Sequence, residues 1–255
     1  MQDADWRADQ YRRVINNGLA DMINNGSTTS WLLGCHDLPR VATRYGLPLQ
    51  KDRPAHQVAR AWLLTDGAMP RLDRALGERR ARAAIMILLA LPGSTYIYQG
   101  DELGFHEVAD LPPEVLEDPM ASRSTKDKGR DGRRVPLPWT PDGLSHGFGV
   151  EGAHLPQPDW FGSYAISVQE ADPNSTLNLY RQAVALRSQL FVGSDLSWIE
   201  SEPHVLGFER AGGIRCVTNF GSEPISLPGG DVLLTSAALD VGQLPCDTTV
   251  WLRTP

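Results

Sequence analysis

Apolar positions follow a helical rhythm at first and a strand rhythm later. Between Asp5 and Met22, the residues Trp6, Tyr11, Val14, Ile15, Leu19 and Met22 recur on one broad face, which predicts an amphipathic helix. Asn24, Asn25, Gly26 and Ser27 then supply turn chemistry. The run WLLGCHD is short, apolar and stopped by a polar pair, as expected of a buried strand. A helix is predicted over His56–Asp66, and a stronger one over Glu78–Leu91, rich in Ala, Arg, Leu and Met and closed by Pro92-Gly93. STYIYQG follows as a second strand of β-branched and aromatic residues. Helix, strand, helix, strand is the order of parallel βαβ units.

The rhythm fades between residues 105 and 175, where Pro, Gly, Asp and Arg concentrate. A connection of this length inside a compact domain points to function, and its aromatics Phe148, Trp160, Phe161 and Tyr164 predict an ordered active-site loop. Asn174 or Ser175 can cap a last helix, Thr176–Phe191. From Asp195 onward the runs HVLGFER, IRCVTNF, DVLLT and TVWLR are separated by Gly, Pro, Asn and Ser, which predicts a small antiparallel β-module. Two domains are therefore expected, residues 1–193 and 194–255.

Composition narrows the function classes. Of 255 residues, 24 are basic and 31 acidic, and a formal net charge of −7 argues against a nucleic-acid or anionic-membrane partner, where a basic face is expected. The longest apolar stretch, Ala81–Leu91, contains Arg82 and falls far short of the roughly 20 residues that span a bilayer. The start, MQDADWRADQYRR, carries charges where a signal peptide needs an apolar core. Cys35, Cys216 and Cys246 form no CxxC pair, so a reduced, cytoplasmic chain is expected.

Chemistry in parallel α/β folds collects at the C-terminal ends of strands. Here those ends carry His36-Asp37 and Gln99-Gly100-Asp101-Glu102. Arg40 is near enough in sequence to make a charge-assisted bond to Asp37. Asp101 and Glu102 are adjacent, so their side chains are expected to diverge rather than cooperate. Within GRDGRRVPLPW, Trp139 offers a face on which a sugar ring can stack, or belongs to a solvated surface loop.

Four segments in order, LLGCHDLPRVATRYG, ERRARAAIMILLALPGSTYIYQGDELG, GRDGRRVPLPW and STLNLYRQAVALR, resemble the alpha-amylase superfamily of glycoside hydrolases, in its alpha-glucosidase and oligo-1,6-glucosidase branch. The resemblance implies a (β/α)8 barrel that hydrolyses α-glucosidic bonds with retention, and a C-terminal β-domain. It implies that Asp37 is the third carboxylate of the site, the transition-state stabiliser that bonds sugar hydroxyls, with His36 binding the same sugar and Arg40 lining the same pocket. It places the GRDGRRVPLPW loop near the subsite for the leaving group. The substrate class it implies is an α-linked gluco-oligosaccharide; no cofactor is expected, and no metal, because although the family sometimes binds calcium, no acidic cluster here has the oxygen-ligand spacing of a calcium loop.

Two departures from the family pattern stand out. Cys35 stands where the family usually has Asn before the His. The nucleophile motif of the fourth strand and the acid/base Glu of the fifth do not occur in these 255 residues. The chain is therefore expected to be the C-terminal portion of a barrel, strands seven and eight with their helices and the β-domain, inactive alone and suited to a partner equivalent to the N-terminal half. A non-catalytic carbohydrate-binding protein using Trp139, Trp160 and Tyr164 is the alternative, and hydrolysis by Asp37 with Asp101 or Glu102 a third reading.

Overall fold

The computed structural model describes Met1, residues 4–123 and residues 127–254, which form two compact units. The first gathers Met1–Leu33, Arg79–Tyr96 and Leu179–Pro255; the second gathers Gly34–Glu78 and Ile97–Asn178.

In the first unit, helix α1 covers Ala8–Asn25, starting later and ending later than its apolar spacing predicts. Trp6 lies in the lead-in rather than on the helix. It is buried beside Phe220, with ring centroids 4.2 Å apart, so its burial comes from the C-terminal module and not from helical periodicity. Gly26 ends α1 in the left-handed conformation (φ 57°), where a side chain would be strained; its N–H reaches the carbonyl of Ile23, and that of Ser27 reaches Met22. Strand β1, Ser30–Leu32, pairs in parallel with β2, Ser94–Tyr96, as the βαβ pattern predicts. Both strands are shorter than the apolar runs that announce them.

The elements between and beyond these strands are α2 (Val41–Gly46), α3 (Ala55–Leu63), α4 (Arg74–Ala90), α5 (Pro119–Arg123), α6 (Ile166–Ala171) and α7 (Thr176–Leu190). The β-module comprises β3 (Ser197–Trp198), β4 (Val205–Arg210), β5 (Ile214–Asn219), β6 (Ile225–Ser226), β7 (Asp231–Thr235), β8 (Gln243–Leu244) and β9 (Thr248–Arg253). Its main sheet is antiparallel in the order β3-β4-β5-β9-β7.

Successive residues of β9 point to opposite faces and are buried on both. Val250 and Leu252 join Val205, Val217 and Leu244 in one apolar cluster. Thr249 and Trp251 instead meet α4, donating to the carbonyls of Ala83 (2.9 Å) and Met86 (3.2 Å). That arrangement explains why residues 83–91 are buried without interruption: the sheet covers part of a helix that is apolar on most sides.

In the second unit two apolar clusters form. Leu47, Val58, Ala59, Trp62, Leu63 and Ala109 pack around α3. Leu103, Phe105, Val108, Leu111, Val135, Leu155, Phe161 and Leu177 make the other. The long 105–175 connection is thus ordered around its own core, with short 3-10 turns and the helices α5 and α6. Ser175 caps α7, its Oγ accepting the N–H of Asn178 at 3.1 Å.

Candidate functional site

His36 and Asp37 lie in a turn beyond the end of β1, closed by the Leu38 N–H donating to the Cys35 carbonyl. Both side chains are more than half exposed, and His36 Nε2 is 3.3 Å from Asp37 Oδ2. The cation paired with Asp37 is Arg130, whose Nη1 donates to Oδ1 at 3.0 Å. Arg60 holds the Asp37 carbonyl from α3 at 3.3 Å. Asp37, Arg60, Met120, Asp127, Gly129, Arg130 and Arg133 line a cleft of about 370 Å³. The Arg130 hydrogen bond, helped by His36 and Arg133, holds the Asp37 carboxyl below the ordinary aspartate range, so the cleft presents a carboxylate.

Arg40 does not make the bond to Asp37 that sequence proximity suggests. It is buried, its Nη1 donating to the Gln99 carbonyl at 2.8 Å and its Nη2 to the Arg133 carbonyl at 3.0 Å. Its backbone N–H reaches Glu107 Oε2 at 2.9 Å. Glu107 also accepts from Arg133 Nε at 3.3 Å, so one buried carboxylate ties the segment after the turn to the GRDGRRVPLPW loop. Arg40 thus fixes the backbone around the cleft.

Asp101 and Glu102 diverge, as adjacency predicts. The Asp101 carboxyl packs on Gly34, where a β-carbon would come within 2.4 Å of Oδ2, so any side chain here would have to displace that carboxyl. Burial pushes that carboxyl up to about 7 against the pull of Arg40 and Arg44. Glu102 Oε2 accepts the N–H of Gly100 at 2.8 Å. Neither residue lines the cleft.

The aromatic candidates separate. Trp139 is 52% exposed. Trp160 and Tyr164 turn toward the apolar cluster, with ring centroids 5.7 Å and 5.3 Å from Phe105, so packing rather than presentation sets their orientation. Tyr164 also donates its hydroxyl to Glu78 Oε1, the oxygen that lies 3.1 Å from Nε2 of the fully buried His106. Burial works against the Glu78 carboxylate, but the bonds from His106 and Tyr164 hold it below the ordinary range, while burial keeps His106 neutral to lower pH than a free imidazole.

One residue tied to the cleft escaped the sequence pattern. Asp118 is 2% exposed and accepts from Arg130 Nε at 2.5 Å, Arg130 N at 3.1 Å and Met120 N at 2.9 Å. Nothing periodic surrounds it; the only signal is a carboxylate shortly before an arginine-rich loop.

The fold and cleft define a mixed α/β protein with parallel βαβ pairing and an ionised carboxylate just past a strand end. The alpha-amylase catalytic-domain profile matches residues 48–193, and the chain belongs to the alpha-amylase family. It is 35% identical over 154 residues to a probable alpha-glucosidase of Rhizobium meliloti, a match covering 57% of this chain and 27% of that protein. With the oligo-1,6-glucosidase of Parageobacillus thermoglucosidasius it shares 26% identity over 174 residues, 58% of this chain and 31% of that one. The crystal structure of XgtA, an alpha-glucosyl transfer enzyme, superposes with a TM-score of 0.68 at 27% identity, over 99% of this chain and 45% of that one. The chain therefore spans less than half the length of these relatives. Among the described residues no helix is long and apolar enough to cross a membrane.

Proposed function

We propose that the chain carries the sugar-binding side of a retaining α-glucosidase site, with Asp37 as the third carboxylate, and that nucleophile and acid/base come from polypeptide equivalent to the earlier barrel strands. On this reading β1 and β2 are strands seven and eight of a (β/α)8 barrel, residues 1–193 descend from the barrel, and residues 194–255 are the C-terminal domain. The observation that carries it is Asp37 itself: an exposed carboxylate in a cleft, kept ionised by Arg130, in a chain of this family. An ionised oxygen accepts hydrogen bonds from sugar hydroxyls, and such bonds strengthen as the oxocarbenium-like transition state forms. His36 shares the turn and binds the same sugar, while Arg40 shapes the pocket through the carbonyls of Gln99 and Arg133.

Retention needs two carboxylates about 5–5.5 Å apart, one of them a nucleophile. Asp101 packs on Gly34 and Glu102 serves Gly100, so neither replaces that pair, and the chain alone is expected to be inactive. Its partners are an α-linked gluco-oligosaccharide and the complementary half of the barrel. A cytoplasmic setting belongs to the same reading, supported by three cysteines that are all free thiols.

Exposure of Trp139 favours a second reading, a carbohydrate-binding protein. The test is an NMR titration with isomaltose and maltose to tens of millimolar, joined to an assay on p-nitrophenyl α-glucoside. Weak, saturable shifts centred on His36 and Asp37, lost in Asp37→Asn, with no turnover, are expected. Shifts centred on Trp139 would favour the binding protein. Turnover surviving Asp37→Asn would overturn the proposal.

A further inference from the structure

The geometry points to Asp118 as a positioning residue for Asp37, acting through Arg130; as a role in the reaction this rests on the reading of Asp37 above. Among the described residues Arg130 links the two, and it uses separate nitrogens for each: Nε faces Asp118 Oδ2 at 2.5 Å, and Nη1 faces Asp37 Oδ1 at 3.0 Å. An arginine fork is planar and rigid, so fixing one edge fixes the direction of the other. The Asp118 end is immovable. Its side chain is fully buried, Oδ2 also accepts the Arg130 backbone N–H, and Oδ1 accepts Met120 N–H, which ties both oxygens of the carboxylate to backbone.

A second buried aspartate sets this anchor in place. Asp131 Oδ2 accepts the N–H groups of Glu117 and Asp118, each at 2.9 Å. The cation opposite Asp37 is therefore held by a carboxylate that never reaches the cleft. Other charges around Asp37 are His36 at 3.3 Å and, across the cleft, Arg60, Asp127 and Arg133; Arg133 is itself committed to Glu107. Arg134 Nη1 also lies 3.9 Å from Asp118.

Asparagine at 118 keeps the shape but cannot keep the bonds. An amide nitrogen must then face either Met120 N–H or the two Arg130 donors, and a donor facing a donor breaks that contact. Arg130, a third exposed, is then free to leave Asp37.

The experiment is NMR titration of the Asp37 carboxyl in the full chain, in wild type, Asp118→Asn and Arg130→Gln, each checked for a native amide spectrum. The expected result is an Asp37 midpoint that moves upward in Asp118→Asn, toward that in Arg130→Gln. A midpoint unchanged in folded Asp118→Asn while Arg130→Gln raises it would overturn the role of Asp118. Should Asp118→Asn not fold, Asp118→Glu replaces it: retained charge with displaced geometry is expected to raise the midpoint, and an unmoved midpoint overturns the proposal. No sugar is needed for this readout. A shifted midpoint in a chain that shows no isomaltose shifts would leave the positioning intact and remove the functional reading instead.

Discussion

Two aspartates, Asp247 in one unit and Asp118 in the other, solve the same physical problem with opposite consequences. Both are nearly inaccessible and both are neutralised by arginine, because an isolated buried carboxylate would cost far too much. Asp247 accepts Trp6 Nε1 at 2.5 Å and Arg80 Nε at 2.9 Å, with Arg79 3.6 Å away. Its bonds end on the N-terminal lead-in and α4, so they join residues distant in sequence within one unit. Asp118 binds one arginine whose other edge ends on an exposed carboxylate in a cleft. Burial of an ion pair therefore does not distinguish structure from function; the exposure of the next group in the chain of contacts does.

The largest effect expected from this contrast is on stability at Asp247. Asp247→Asn removes the carboxylate that Arg79 and Arg80 face and weakens its bonds to Trp6 and Arg80, which should cost about 2–3 kcal/mol, measured by urea unfolding. A loss under 1 kcal/mol would mean that Asp247 does not hold its unit together. Asp101 should behave in the opposite sense. Its carboxyl titrates near 7 in the fold, above the ordinary value of 3.8, so its contribution is fully present below about pH 3.8 and lost as pH rises through 7. Asp101→Asn should accordingly be more stable than wild type to urea at pH 8, with most of the gain gone by pH 4.

A smaller effect concerns His106, whose folded value is depressed by burial. Its contribution is present above the imidazole value of 6.5 and lost as pH falls below it, with a slope of at most about 1.4 kcal/mol per pH unit for one proton. His106→Gln should flatten the decline in melting temperature between pH 7 and pH 5.5; an unchanged slope would remove His106 from the acid response. The smallest effect on stability is expected at Asp37. Being exposed, Asp37→Asn should leave the urea midpoint where it is, and a large drop would make Asp37 a structural group.

The β-module was the most legible region. HVLGFER, IRCVTNF, DVLLT and TVWLR coincide within a residue with β4, β5, β7 and β9, because Gly, Pro and Asn punctuate each short run sharply. Their burial on both faces was not legible, since it depends on α4 arriving from a distant part of the sequence. The strand ends were legible only in outline: WLLGCHD gives two residues to a three-residue strand and then forms a turn, and that turn is what exposes His36 and Asp37. Arg130 and Asp118 were invisible as a pair. They lie in a stretch without periodicity, and tertiary packing decides which arginine of a basic loop meets which carboxylate.

The most direct measurement places this chain where the proposal says it belongs. A chimera joins the earlier part of the Rhizobium meliloti alpha-glucosidase to this chain in place of the corresponding C-terminal part, and kcat on p-nitrophenyl α-glucoside is compared with and without Asp37→Asn. The expected result is an active chimera whose kcat falls about a hundredfold or more on losing that carboxylate, the scale of removing one group that stabilises transition-state charge. An active chimera indifferent to Asp37→Asn would contradict it.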